Sequence, residues 1–191
     1  MVVNIIKRGR PKGSKNKLTP LAILNRVKKI MRSEGKIPSI RKLATALKVD
    51  PMAIYYYFSN KNELLEAVTV SLIKEIYQPL GTDNWQEELK TLCKSYLRLL
   101  KDHPGLLEIM LTMDSEGPAN IFVQRFHIAL APLNIDATIL KNALDLLADY
   151  LHGFALAMNC NPEDENLNIN FVDGPLDFYI KAISFSSEDV Q

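Results

Sequence analysis

Two cysteines, one tryptophan and three histidines in 191 residues leave several chemistries without their usual raw material. Cys93 and Cys160 are too far apart to form a metal-binding pair, and each stands among helix-forming residues, so both read as reduced thiols with buried packing roles. His103, His127 and His152 are too scattered for a metal motif, and no cofactor is implied. There is no glycine-rich phosphate loop, and no nucleophile is paired with a base. An enzyme would therefore have no visible catalytic set. Apolar runs of the roughly 20 residues that a membrane span needs are missing. The basic N-terminus is not followed by the apolar core of a signal peptide. A cytoplasmic chain without a membrane partner is the expectation.

The scarcity that says most is local. Residues 1–61 contain Glu34 and Asp50 as their only acids, against 15 lysines and arginines, whereas the remainder holds 8 basic and 20 acidic residues. A formal net charge of +1 thus conceals a strongly basic front and an acidic back. Such a split suits one part that faces a polyanion and another that stays off it. The basic front begins with the run KRGRPKGSKNK, Lys7 to Lys17, which carries six cations and no large apolar side chain. Alone it cannot bury enough surface to offset its ordering entropy. It reads either as a solvated tail or as an arm that orders on an anionic partner. A membrane-surface helix would place bulky apolar residues among its cations, so nucleic acid leads.

Elsewhere the hydrophobic pattern is helical, and the expected fold class is all-α with about nine helices. Thr19-Pro20, Ser39 and Asp50-Pro51 supply starts for three helices, and Gly35 supplies a stop. The third of these helices is short and ends near Phe58. Asn60 and Glu63 form a capping pair for a fourth, carrying Leu64, Leu65, Val68, Leu72 and Ile76. The break at QPLGTDNW divides the chain into a basic arm (1–18), a first helical unit (19–80) and a helical remainder (81–191). In that remainder, helices are expected over Trp85–Lys101, Leu106–Met113, Pro118–Leu133, Asp136–Met158 and Pro175–Phe185. Between the last two, Leu167, Ile169 and Phe171 alternate with asparagines. This allows either a short strand or a loop pinned to the body by its apolar residues.

Helices 39–47 and 50–58, joined by a short turn, have the makings of a helix-turn-helix, although a plain αα-hairpin shares their periodicity. The run Ile54-Tyr55-Tyr56-Tyr57-Phe58 argues for the former. So short a helix can turn at most two of three tyrosines toward a core. At least one phenol is left exposed beside cations, and tyrosine hydroxyls are regular phosphate partners.

At these residues the chain resembles the DNA-binding domain of the TetR family of bacterial transcriptional regulators. The resemblance rests on Arg41-Lys42-Leu43-Ala44, Leu47-Lys48-Val49, the Ile54–Phe58 run, Lys61 and Leu64-Leu65, and it covers about residues 19–80. Lys48 stands where the family has a glycine, and a left-handed residue there costs on the order of 1 kcal/mol relative to glycine. In such a frame, Pro51, Met52, Ala53 and Tyr56 reach base edges, with only apolar contact available to Met52 and Ala53. Arg41 either reads a guanine or clamps a phosphate. Tyr55, Tyr57, Ser39 and Thr19 are phosphate candidates, Lys48 adds a cation near phosphate, and Lys61 sits at a helix N-terminus that favours an anion. The segment Arg8-Gly9-Arg10-Pro11 resembles the centre of an AT-hook, whose arginines enter a narrow A·T minor groove.

The resemblance further implies homodimerisation through the last two long helices, with Leu144, Leu147, Leu151, Ala155, Phe178, Tyr179 and Ile183 as the candidate interface. It also implies a small-molecule effector enclosed by the middle helices, for which Tyr96, Leu100, Met110, Met113, Phe122, Phe126, Tyr150, Phe154 and Met158 are candidate lining. The function so implied is a homodimeric repressor released from its operator by that effector. Two other readings stay open: a constitutive architectural DNA binder and a small all-α enzyme.

Overall fold

Four helix starts follow from side chains that accept otherwise unpaired backbone N–H groups. Thr19, Ser39, Asp50 and Asn60 accept from the N–H of Ala22, Lys42, Met52 and Glu63. They open α1 (Pro20–Glu34), α2 (Ile40–Leu47), α3 (Pro51–Tyr55) and α4 (Lys61–Ile73). Proline takes the first position of α1 and α3, where its missing N–H is no loss. The capping pair at α4 closes one residue early: Glu63 accepts the Ser59 N–H at 2.6 Å rather than that of Asn60. The structure, a computed structural model, describes residues 18–113, 117–161, 163–164 and 167–188, with side chains to Phe185. Residues 1–17, which include Arg8, Gly9, Arg10 and Pro11, lie outside the described residues.

The stops are equally local. Gly35 ends α1 at φ 65°, and Lys48 ends α2 at φ 57°, ψ 44°, in the left-handed region that glycine would occupy more cheaply. The third helix is shorter than expected. It ends at Tyr55, and a tight turn follows in which the Tyr57 and Phe58 N–H groups both bond the Ile54 carbonyl. Ile54 and Phe58 are buried with Ile23, Val27, Ile30 and Met31 of α1, Leu43 and Ala44 of α2, and Leu64, Val68 and Leu72 of α4.

Beyond a connection over 74–84 come α5 (Trp85–Asp102), α6 (Leu106–Thr112), α7 (Gly117–Leu130), α8 (Ala137–Cys160) and α9 (Asp173–Glu188). Short 3₁₀ turns, Ala131–Leu133 and Ile169–Val172, precede α8 and α9. There is no strand among the described residues. Of the alternating apolar residues before α9, Leu167 and Ile169 pack on the core, but Phe171 points to solvent, 54% exposed. Helix α5 is the axis of this part, packing on α4, α7, α8 and α9. It buries Trp85, Leu89, Leu92, Cys93, Tyr96, Leu97 and Leu100. Burial pushes the Cys93 thiol far above its ordinary pKa. Cys160 is exposed, against the expectation of packing roles for both cysteines.

Two polar side chains tie the parts together. Glu88 of α5 accepts the N–H groups of Leu80, Gly81 and Thr82 and the Thr82 hydroxyl, at 2.8–3.4 Å. Burial works against its charge, but these four donors outweigh it and hold the carboxyl below its ordinary pKa. The second tie is Arg125 of α7, buried and, among the described residues, without a carboxylate partner. Its guanidinium donates to the carbonyls of Ile73, Lys74 and Ile76 at 2.5–3.2 Å and to Gln78 Oε1 at 3.0 Å. It thereby caps the C-terminal end of α4, where the free carbonyls and helix dipole favour a cation.

Candidate nucleic-acid interface and ligand cleft

Helices α2 and α3 meet through Lys48, whose N–H bonds the carbonyls of Ala44 and Thr45 while the Val49 N–H bonds Ala44. That left-handed corner turns the chain, and the Asp50 cap points α3 outward. On α3 the result is an exposed face beside a buried one. Ile54 is sealed at 0% exposure, while Met52 is 70% and Tyr56 83% exposed. Pro51 and Ala53 are half-buried at the same face, and Tyr55 is exposed beside it. Large apolar and aromatic side chains do not stand free in water without a cost, so this face suits a partner.

The candidate phosphate groups flank it. Lys48, Arg41, Ser39, Thr19 and Lys61 are all exposed. Thr19 and Ser39 use lone pairs in their helix caps, and their hydroxyl protons take no part in those bonds. Lys61 is the first residue of α4, at its positive end. Lys42 pairs with Glu34, one of the two acids of the basic front. Tyr57 departs from its expected role. It is half-buried, and its hydroxyl donates to the Leu18 carbonyl at 2.7 Å instead of standing free for phosphate.

Among α5, α6, α7 and α8 lies a mainly apolar cleft of about 170 Å³. Tyr96, Met110 and Phe122, three of the candidate lining residues, border it, joined by Ala119, Val123, Leu144, Asp145, Ala148 and His152. The Phe122 ring packs on Tyr96 with centroids 4.8 Å apart. Tyr96 Oη and His152 Nε2 are 2.9 Å apart. Burial raises the Tyr96 pKa and lowers that of His152, the latter against an opposing pull from Asp149, so burial favours the neutral form of both partners.

The other proposed lining residues are elsewhere. Leu100 and Phe126 are sealed in the core, Met113 borders a separate cleft between α4 and α6, Tyr150 faces α9, and Met158 lies by the loop before α9. Phe154 packs on Tyr150 rather than bordering the cleft. Ala119 and Ala148 were not legible as lining, because small residues carry no signal until the opposing helix is in place.

The proposed dimer residues also need correction. Leu147, Leu151, Ala155 and Ile183 are at most 4% exposed, and the Tyr179 hydroxyl bonds the Ala143 carbonyl inside the protomer. Leu144 faces the ligand cleft. Phe178 alone of that set points outward, at 78% exposure. Leu146 and Leu156 of α8 and Phe185 of α9 are also exposed, at 64%, 49% and 70%. Phe178 borders an apolar groove of about 490 Å³ between α8 and α9 with Leu146, Tyr150, Pro175 and Ala182, and Leu147 and Tyr179 of the expected set also line it. The reason for the error is that α8 is apolar on two faces, and periodicity does not say which faces inward.

Two family models match the chain. One, described as bacterial regulatory proteins of the tetR family, covers residues 39–68, and one described as a tetracyclin repressor-like C-terminal domain covers residues 78–169. The chain is 25% identical over 158 residues to the HTH-type transcriptional repressor DrrR1 of Streptomyces coeruleorubidus, covering 81% of this chain and 58% of that protein. It therefore spans little more than half the length of that relative.

Among solved structures, apo ActR of Streptomyces coelicolor matches 93% of this chain and 100% of its own, with a TM-score of 0.77 at 19% identity. ActR in complex with actinorhodin matches with a TM-score of 0.64 at 24% identity, over 78% of this chain and 71% of its own. BioQ with its double-stranded DNA operator matches with a TM-score of 0.65 at 21% identity, over 84% and 98%. Likeness at this identity establishes the fold.

Proposed function

The chain belongs to the tetR family of bacterial regulatory proteins, and we propose that it is a homodimeric repressor which leaves its DNA operator when a small molecule opens the cleft between α5 and α8. The observation that carries the reading is the outward face of α3 and its C-cap, where Met52 and Tyr56 stand exposed, with exposed Arg41 and Lys48 on the helix and turn before it and Lys61 at the start of the helix after it. A helix so presented fits the major groove, with phosphate contacts on either side. Direct readout is thin, because Met52 and Ala53 offer only apolar contact. Arg41 and Tyr56 are left as the side chains able to discriminate bases by hydrogen bonds. DrrR1 is named a repressor and BioQ is bound to its operator, which favours the same role here. Such a protein works beside the chromosome, in the cytoplasm.

Two heads are needed to read a two-fold operator, and the exposed stripe on α8 and α9 supports a second copy packing there. The cleft favours a flat, largely apolar molecule, stacked by Tyr96 and Phe122 and held by the Tyr96–His152 pair. At about 170 Å³ it is smaller than the 300–1,000 Å³ usual for a ligand site, so a molecule of drug size has to push α6 or α7 aside. Because Arg125 ties α7 to the end of α4, that displacement bears on the DNA-binding helices. ActR, a protein of this fold, is recorded in complex with actinorhodin.

The division of roles is testable. Lys61→Ala and Tyr55→Ala should each weaken binding by about threefold to thirtyfold with the ranking of operator variants preserved, since phosphate contacts position and do not specify. Arg41→Ala or Tyr56→Ala should instead change that ranking at particular base pairs, by about 1–3 kcal/mol where a base hydrogen bond is removed. Titration of each variant against the operator and its single base-pair substitutions decides the matter. A Lys61→Ala protein that binds equally tightly but prefers other sequences would refute the assignment.

A further inference from the structure

Tyr57 sits two residues beyond the end of α3, yet its hydroxyl reaches back to the main chain just before α1, donating to the Leu18 carbonyl at 2.7 Å. A phenol has one proton, and a phosphate oxygen offers only lone pairs. Engaged with Leu18, Tyr57 has nothing left to donate to DNA. The same ring supports the exposed Tyr56 edge-on, with centroids 5.1 Å apart and planes at 88°. Leu18 is also held by its side chain, which packs on the core. The main chain that leads back toward the cationic run is therefore fixed at the flank of the recognition helix by two independent contacts.

We propose that Tyr57 is a positioning residue that anchors the root of the basic N-terminal segment, so that this segment and α3 address neighbouring grooves of one duplex in fixed register. The inference rests on reading residues 7–17 as a DNA-binding arm. Leu18 stands eight positions after Arg10, an extended reach of at most roughly 26–29 Å. A minor groove adjoins the major groove about half a turn away, or roughly 17 Å along the duplex. The reach exceeds this span by roughly half and no more than about 12 Å, so the point of departure limits which base pairs the arginines meet. Releasing it lengthens the tether and lowers the effective concentration of the arm at its groove.

Four proteins test this: the full chain, Tyr57→Phe, the chain lacking residues 1–17, and the two changes combined. Each is titrated at several salt concentrations against a duplex bearing the protein's selected site with A·T-rich flanks. Tyr57→Phe removes one oxygen and keeps the ring. It should weaken the full chain by about two- to tenfold, the range one net hydrogen bond supplies, and leave the truncated chain unchanged. Truncation alone should weaken binding and flatten the log–log salt slope by about 0.9 for each phosphate that the arm neutralises. Equal losses from Tyr57→Phe in both backgrounds would mean that Tyr57 meets the DNA itself, which overturns the anchor and leaves the arm standing. No loss in the full chain overturns the anchor as well. A truncation that changes neither affinity nor slope removes the arm, and the anchor with it.

Discussion

Phe178→Glu should yield a monomer that no longer holds its operator. Phe178 is the most exposed large apolar side chain on α8 and α9, at 78%, with Phe185 and Leu146 exposed near it. If a second copy covers this stripe, the new carboxylate is forced into a desolvated interface without a partner, at a cost of several kcal/mol. The dimer dissociation constant should rise by at least about a hundredfold, or about 2.7 kcal/mol. The protomer itself should stay folded, because its core lies on the opposite faces of these helices. Loss of the second head then removes half of the operator contacts. Sedimentation velocity and gel shift on the same sample read both effects. A variant that stays dimeric would place the interface elsewhere.

Arg125→Met should lower stability more than any other single polar change in the described residues. Methionine keeps much of the apolar stem but leaves the carbonyls of Ile73, Lys74 and Ile76 and the Gln78 side chain without the donor they now share. Hydrogen bonds to a charged group are worth about 1.5–3 kcal/mol each and do not add in full, which puts the total near 3–4 kcal/mol. For a chain of this size that corresponds to a melting midpoint lower by roughly 6–16 °C. Arg125→Lys should recover only part of this, because an ammonium cannot span four acceptors in the plane of a guanidinium. Hydrogen exchange should quicken first at the end of α4 and in the 74–78 segment, where the cap is removed. A melting midpoint within a degree of the unaltered protein would contradict this account of the α4–α7 junction.

What could be read from the sequence divides along the range of the forces involved. Thr19, Ser39, Asp50 and Asn60 announced their helices because a cap is a contact within three residues, and the same holds for the stop at Gly35, whereas the left-handed turn at Lys48 was expected from the family resemblance alone. The exposed tyrosines of α3 were foreseeable because a helix of that length has too few inward positions for all of them. The partner of the Tyr57 hydroxyl was not, since Leu18 lies 39 residues away. The two apolar stripes of α8 are offset by a residue or two, and only the packed position of α5 and α9 selects between them. Arg125 did leave a mark, as the single full charge in the apolar run from Ile121 to Leu130 of α7. A buried arginine needs acceptors, and nothing local identified the end of α4 as their source. A cleft was expected among the middle helices, and the one found there is walled in part by alanines that become informative only opposite Tyr96 and Phe122.

The central claim is sequence-specific binding by a two-fold dimer. Selection from a pool of randomised duplexes by the purified full chain tests it most directly. The account predicts enrichment of two inverted half-sites with centres about one helical turn, or 34–36 Å, apart or a multiple of it. The A·T-rich positions should lie beside the half-sites. Recovery of duplexes with no shared sequence, at affinities set by salt alone, would contradict it.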